Sequence, residues 1–364
     1  MITMARASNI ASTDARVVRL WLLLVAALMF ATLVIGGATR LTGSGLSITE
    51  WKPVTGVVPP LTEHAWQAEF DKYKGIPQYR ERNLGMSLAE FRIIYWWEWT
   101  HRMMARLVGA AFIVPLIWFA LRRRISPELR LRLIAIGGLG AALGGIGWWM
   151  VSSGLADRVS VSQYRLAFHL TLACGIFSAI LWTAEDLAPR LPVALPQRIR
   201  ITAVAILVLV LLQIYLGALV SGLHAGLLFN TWPLIDGQLI PDPSRLFFEH
   251  PLWRNFFENA LTVQFDHRML AYGLFILTVI HAADVARTGR RAAALGFALA
   301  AVVTLQAALG ILTLLFQAPL VLALSHQAMA IVVLALAVLH AHRCTSHALV
   351  AGGPAVLLPQ EQTQ

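Results

Sequence analysis

The sequence predicts an all-α polytopic membrane protein, with eight transmembrane helices arranged as two tandem pseudo-symmetric four-helix bundles. Three observations predict this. Of the 364 residues, 58% are apolar and 13% charged. That charge fraction is about half the ~25% usual in soluble domains, and it suits a chain solvated by lipid. Eight apolar runs reach the roughly 20 residues that cross a bilayer. Short motifs recur in the same order in both halves of the chain.

The first run, near 17–38, follows Arg6, Arg16 and Arg19. Its core, WLLLVAALMFATLVIGGA, exceeds the ~7–15 residues of a signal-peptide core and ends in no small-x-small cleavage site, so it is expected to stay as a membrane helix. The others lie near 96–120, 132–151, 163–183, 201–222, 262–285, 293–316 and 320–342. The net charge of +10 sits in short clusters between these runs: LRRRISPELRLR, Arg190 with Arg198 and Arg200, ARTGRR, and HRC. That is the positive-inside pattern of an inner-membrane protein, and no stripe fit for nucleic acid is present. Segments 42–95 and 223–261 mix acids with bases, are rich in Pro, Gly and Trp, and belong outside. Both termini are then cytoplasmic. The Trp clusters at 96–99 and 148–149 fit an interfacial belt. Cys174 and Cys344 match no zinc or redox spacing, so no disulfide framework is expected.

GLSITEWKPVTG (45–56) and GLLFNTWPLIDG (226–237) share Gly-x5-Trp-x4-Gly at an offset of 181. His101-Arg-Met recurs as His267-Arg-Met at an offset of 166, and His169 pairs with His326 at 157. The offset falls steadily, as it would if the first half had longer loops. The chain therefore divides into units 1–190 and 191–364, each with four spans, related as a parallel repeat.

Of eleven histidines, seven sit in outer loops or at span ends, where a polar ring costs little; His281, His340, His342 and His347 are placed at or beyond cytoplasmic ends. The remaining four, His101, His169, His267 and His326, each lie a turn or two inside an even-numbered span, in the outer third of the membrane. Intramembrane polar rings point to function. In an up-down bundle the second and fourth helices are diagonal partners, and with neighbours roughly 8–10 Å apart the diagonal suits two imidazoles facing one iron porphyrin. Two haem sites follow, His101 with His169 and His267 with His326. Glu98 stands three residues before His101, whereas Gln264 stands three before His267, so on that helix face the first site has an ionisable group and the second a neutral amide. Arg40, Arg102 and Arg268 lie at the level where propionates want cations.

GGATRLTGSGLSITEWKPVTGVVPP (36–60), EFRIIYWWEWTHRMMARLVG (90–109), YRLAFHL (164–170), GLHAGLLFNTWPLIDG (222–237), ENALTVQFDHRML (258–270) and Ser325-His326-Gln327 resemble the haem A synthase family, in its alphaproteobacterial and mitochondrial form. The resemblance covers nearly the whole chain. It implies oxidation of a haem O ring methyl to a formyl group, giving haem A for terminal oxidases. It implies a haem b cofactor on His267 and His326, the substrate haem on His101 and His169 with Arg40 and Arg102 nearby, and Glu98 as the catalytic carboxylate. The cysteine pair that some bacterial members carry in an outer loop is absent from this sequence, so no thiol–disulfide role follows. Electrons must come from a donor outside the chain, because no flavin, nucleotide or iron–sulfur motif is present. The haem O synthase and oxidase assembly factors are the partners the resemblance suggests, and homo-oligomers stay open. A haem b electron relay and a parallel-repeat transporter are the rival classes. Glu98, without a counterpart in the other half, argues against the first. The lack of mid-membrane acids argues against the second.

Overall fold

The computed structural model describes residues 2–188, 195–288 and 290–345, with side chains from residue 14 onward except 290–292. The boundary expected at 190/191, Arg190, the side chains of Arg290 and Arg291, and His347 lie outside them. Eight long helices cross the predicted membrane: α1 (Ile2–Leu41), α2 (Leu88–Leu121), α3 (Pro127–Ser152), α4 (Gln163–Asp186), α5 (Gln197–Gly222), α6 (Ala260–Ala286), α7 (Arg290–Leu315) and α8 (Leu320–Thr345). All eight expected spans are found. Local chemistry sets their ends. Ser126 caps α3 ahead of Pro127, and the Asn259 side chain accepts from the Leu261 and Thr262 amides to start α6.

The second span begins eight residues before the expected 96 (96 − 88). Ser87 and Glu90 form a reciprocal capping box there. The extra turns present Phe91 and Tyr95, both buried, to a short outer helix, Glu63–Lys74. Phe70 stacks on Phe91 at 4.9 Å and Trp66 meets Tyr95 edge-on at 5.0 Å. The first outer segment thus folds into an aromatic cap on its own bundle, which an apolar-run count cannot detect.

Within the first half α1 packs on α2 and α4; within the second α5 packs on α6 and α8 in the same way. The halves meet through α4 with α5, α1 with α8, and α4 with α8. One core runs through both, joining Leu22, Ile180, Ile206 and Leu334. The halves differ at one seam: α6 and α7 pack closely, whereas α2 and α3 touch far less.

Lipid gives no hydrophobic drive between helices, so association rests on close backbone approach and interhelical hydrogen bonds. Both occur where the halves join. Gln327 of α8 donates to the Leu33 carbonyl of α1 at 2.8 Å, and a Cβ at Gly37 would collide with its amide. A Cβ at Gly222 would stand 2.6 Å from Gln163 Cβ and 2.9 Å from its Cα. At the end of the bundles away from the four histidines, Arg19 pairs with Glu185 at 3.2 Å and Arg198 grips both Asp284 oxygens at 2.9 and 3.0 Å.

Gly222→Ala is therefore expected to destabilise the purified protein by about 1–3 kcal/mol through overpacking. Gly138→Ala, whose new Cβ meets nothing within 4 Å, should leave the thermal midpoint in detergent unchanged.

Candidate haem sites

The four predicted histidines are half-buried, and each faces a glycine on the helix before it. Were a Cβ added, Gly36 of α1 would lie 2.8 Å from His101 Nε2 and Gly147 of α3 would lie 3.1 Å from His169 Cε1. Likewise Gly217 of α5 would lie 3.1 Å from His267 Cε1, and Gly310 of α7 would lie 2.8 Å from His326 Cε1. The glycines give these rings room against a neighbouring backbone. His101 differs from the others in turning Nε2, not Cε1, onto its glycine. His101 and His169 stand on α2 and α4, and His267 and His326 on α6 and α8.

The polar groups around the pairs differ. Glu98 is 2% exposed. Its Oε2 accepts from Ser47 Oγ and the Ile48 amide, both at 2.8 Å. Its Oε1 accepts from Arg102 Nη2 at 2.6 Å and Nε at 3.2 Å. Arg102 also donates to the Ile48 and Glu50 carbonyls at 2.9 and 3.0 Å. Glu98 and Arg102 together pin the 42–62 segment over the first site. In the second half Arg268, 6% exposed, donates to the Phe229 carbonyl at 3.0 Å. Its Nε is buried without a partner, and among the described residues no carboxylate pairs with it. Gln264 at the Glu98 position is buried and adds no charge.

Arg40, at the end of α1, donates to the Ser221 carbonyl of α5 across the seam between the halves. Gln213 escaped the sequence reading. Its Nε2 lies 3.0 Å from His267 Nδ1 and donates to the His267 carbonyl at 2.9 Å, fixing that ring. Nothing local marked Gln213. The facing glycines did leave a trace, since Gly36 and Gly217 differ by 181 (217 − 36), the offset of the outer motifs.

The histidines at the far ends of α6 and α8 are not the solvent-facing polar ends expected from the sequence. His281, His340 and His342 are each 2% exposed, because helices from both halves close over them. His342 bonds Asp186 of α4 at 2.7 Å. His281 and His340 face each other with Cys344 alongside.

The outer pairs fit an iron porphyrin. Each offers two imidazoles beside glycine hollows, and His169 and His326 leave a buried Nδ1 without a partner. Among the described residues no third histidine, cysteine or carboxylate completes a bare-metal shell at either pair. The porphyrin brings its own four nitrogens, so two axial ligands suffice. Its propionates would meet the unbalanced charge of Arg268 in the second half.

Two outcomes follow. Arg102→Ala strands the buried Glu98 carboxylate and is expected to cost about 3 kcal/mol; in a Glu98→Gln background the loss should shrink, a coupling that thermal unfolding of the four variants measures. Glu50, outside the membrane, bonds Lys52 and Lys72, and these hold its carboxyl down at about 2. Its stabilisation of the outer cap is present above the unfolded value of roughly 4.3 and lost as pH falls toward about 2. Near-UV circular dichroism of the cap aromatics should hold from pH 7 to 5 and decline only below that value.

A family model described as a cytochrome oxidase assembly protein matches residues 19–338. The chain is 56% identical over 344 residues to a heme A synthase of Rhodopseudomonas palustris strain BisB5, covering 94% of this chain and 95% of the relative. It is 56% identical over 332 residues to that of Bradyrhizobium diazoefficiens, covering 91% and 92%, and 53% identical over 342 residues to that of Azorhizobium caulinodans, covering 94% and 98%.

Proposed function

The chain belongs to the cytochrome oxidase assembly family that includes the heme A synthases, and from that premise we propose that it is a membrane-bound oxidoreductase converting haem O to haem A for terminal oxidases. The observation that carries this reading is the pair of histidines repeated in both halves, each ring set against a glycine of the preceding helix. Units 1–190 and 191–364 divide the work. His267 and His326 hold haem b, and His101 and His169 hold the substrate haem O.

Three features support the division. The Gln213 amide holds the His267 ring, 3.0 Å from Nδ1 and 3.3 Å from Nε2, and donates to the His267 carbonyl at 2.9 Å. Arg268 offers an unbalanced buried cation to a resident propionate. The substrate half instead carries a buried carboxylate, Glu98, three residues before its histidine, where the other half has Gln264. Haem b, when bound, supplies redox chemistry at its iron. The chain's residues do the rest. His101 and His169 orient the substrate ring, Arg40 meets its propionates at the outer rim, and Arg102 holds Glu98 and the overlying carbonyls in place. The Ser47–Ile48 segment, held down by Glu98, screens the site from water.

The four donors on Glu98 use about all the lone-pair sites of a carboxylate. Proton transfer through it would need one of them, Ser47 Oγ, to let go. Glu98 therefore acts foremost as a fixed negative charge that favours positive character developing on the substrate. The Arg clusters between the spans support cytoplasmic termini and haem sites near the periplasmic face of the inner membrane. An external donor supplies the electrons. The enzyme that makes haem O and the oxidase assembly factors are the partners consistent with this role.

Pigment extraction and chromatography test the reading. Co-expression with an enzyme that makes haem O should yield haem A and haem b from the purified wild type. Haem b alone would leave an electron relay and overturn it. His267→Ala and His326→Ala should each lower haem b several-fold. Glu98→Gln should keep haem b and lower haem A by at least about 10-fold; a normal rate would remove Glu98 from catalysis.

A further inference from the structure

The cytoplasmic end of the second half holds a cluster that haem chemistry does not use. His281 of α6 and His340 and Cys344 of α8 are 2%, 2% and 1% exposed. The two Nε2 atoms are 2.7 Å apart and Cys344 Sγ is 3.7 Å from His340 Nε2. All three donor atoms lie within 4.8 Å of one another. Each ring stands fourteen residues below a haem-site histidine on the same helix (281 − 267 and 340 − 326), about 21 Å along the axis at 1.5 Å per residue. The cluster is therefore separate from the haem pair. The repeat offsets place Pro115 (281 − 166) and Thr183 (340 − 157) at the matching points of the first half, so only the second half carries it.

Thr202 of α5 orients the group. Its hydroxyl donates to the Arg198 carbonyl at 2.9 Å, so it accepts from His281 Nδ1–H at 2.7 Å. That leaves the His281 Nε2 lone pair facing the centre. A partner group fixing the outer ring nitrogen is the usual companion of a metal-bound histidine.

We propose that His281, His340 and Cys344 bind one Cu(I) ion. One thiolate and two neutral imidazoles form a three-coordinate set that suits a soft monovalent ion. Cys344 loses its thiol proton to the solvent, one Cu–S and two Cu–N bonds form, and the His340 ring proton moves to its other nitrogen. No electron is transferred. The thiolate and Cu(I) sum to zero charge, which matters in an apolar bundle. Zn(II) would leave a net positive charge and lack its usual fourth ligand, because Thr202 sits against the far nitrogen of His281. With bonds of about 2.0–2.3 Å, the two Nε2 atoms need part by under about 1 Å.

The test is anaerobic titration of the purified, haem-loaded full-length protein with Cu(I) against the chelator bicinchoninate, followed by copper X-ray absorption. One Cu(I) per chain with one sulfur and two nitrogen neighbours is expected. Cys344→Ser should weaken binding about 100-fold and remove the sulfur neighbour, with the Soret band unchanged. Cys174→Ala should bind as the wild type does. His281→Gln serves as the second variant if Cys344→Ser fails to fold. Equal Cu(I) uptake by the wild type and either cluster variant would overturn the proposal. So would one equivalent of Zn(II) bound where Cu(I) is not.

Discussion

The architecture depends on fitting imidazoles into helix pairs inside lipid. A polar ring in hydrocarbon is costly unless it meets a partner, and a ring between two close helices needs room. Gly36, Gly147, Gly217 and Gly310 supply that room, one for each of His101, His169, His267 and His326. Each glycine lies on the helix preceding its histidine, so four successive helix pairs each seat one ring, and under the proposed function these rings form two haem sites. The helix crossings, the depth of the rings and the likeness between halves all follow from this arrangement.

Charge then makes two similar sites unlike. In the first half the cation of Arg102 is consumed by Glu98 and by carbonyls of the overlying segment. In the second, Arg268 spends its hydrogen bonds on carbonyls alone, and Gln264 cannot neutralise it. One carboxylate in place of an amide therefore separates a site with a pinned cover and an internal ion pair from one with a cation to spare.

Most of this was legible in the sequence because its causes are periodic. Long apolar runs gave the eight helices, and the repeated His-Arg-Met marked two of the histidines that meet a glycine on the preceding helix. What stayed hidden depended on contacts between distant segments. The aromatic cap needed Phe70 and Trp66 to find Phe91 and Tyr95. Gln213 reaches His267 from another helix. His281 and His340 read as cheap polar ends because one chain segment cannot reveal that two helices converge there. Glu98 was found by position, but its full complement of donors could only come from the fold.

The loose seam between α2 and α3 has a consequence for traffic. On the proposed reading, acyl chains more than protein would close that flank of the first bundle. A greasy cargo can therefore enter and leave sideways, diffusing in two dimensions without ever being dissolved in water. The tighter seam between α6 and α7 denies its neighbour that doorway, so the two rings would differ in residence time even with identical ligands.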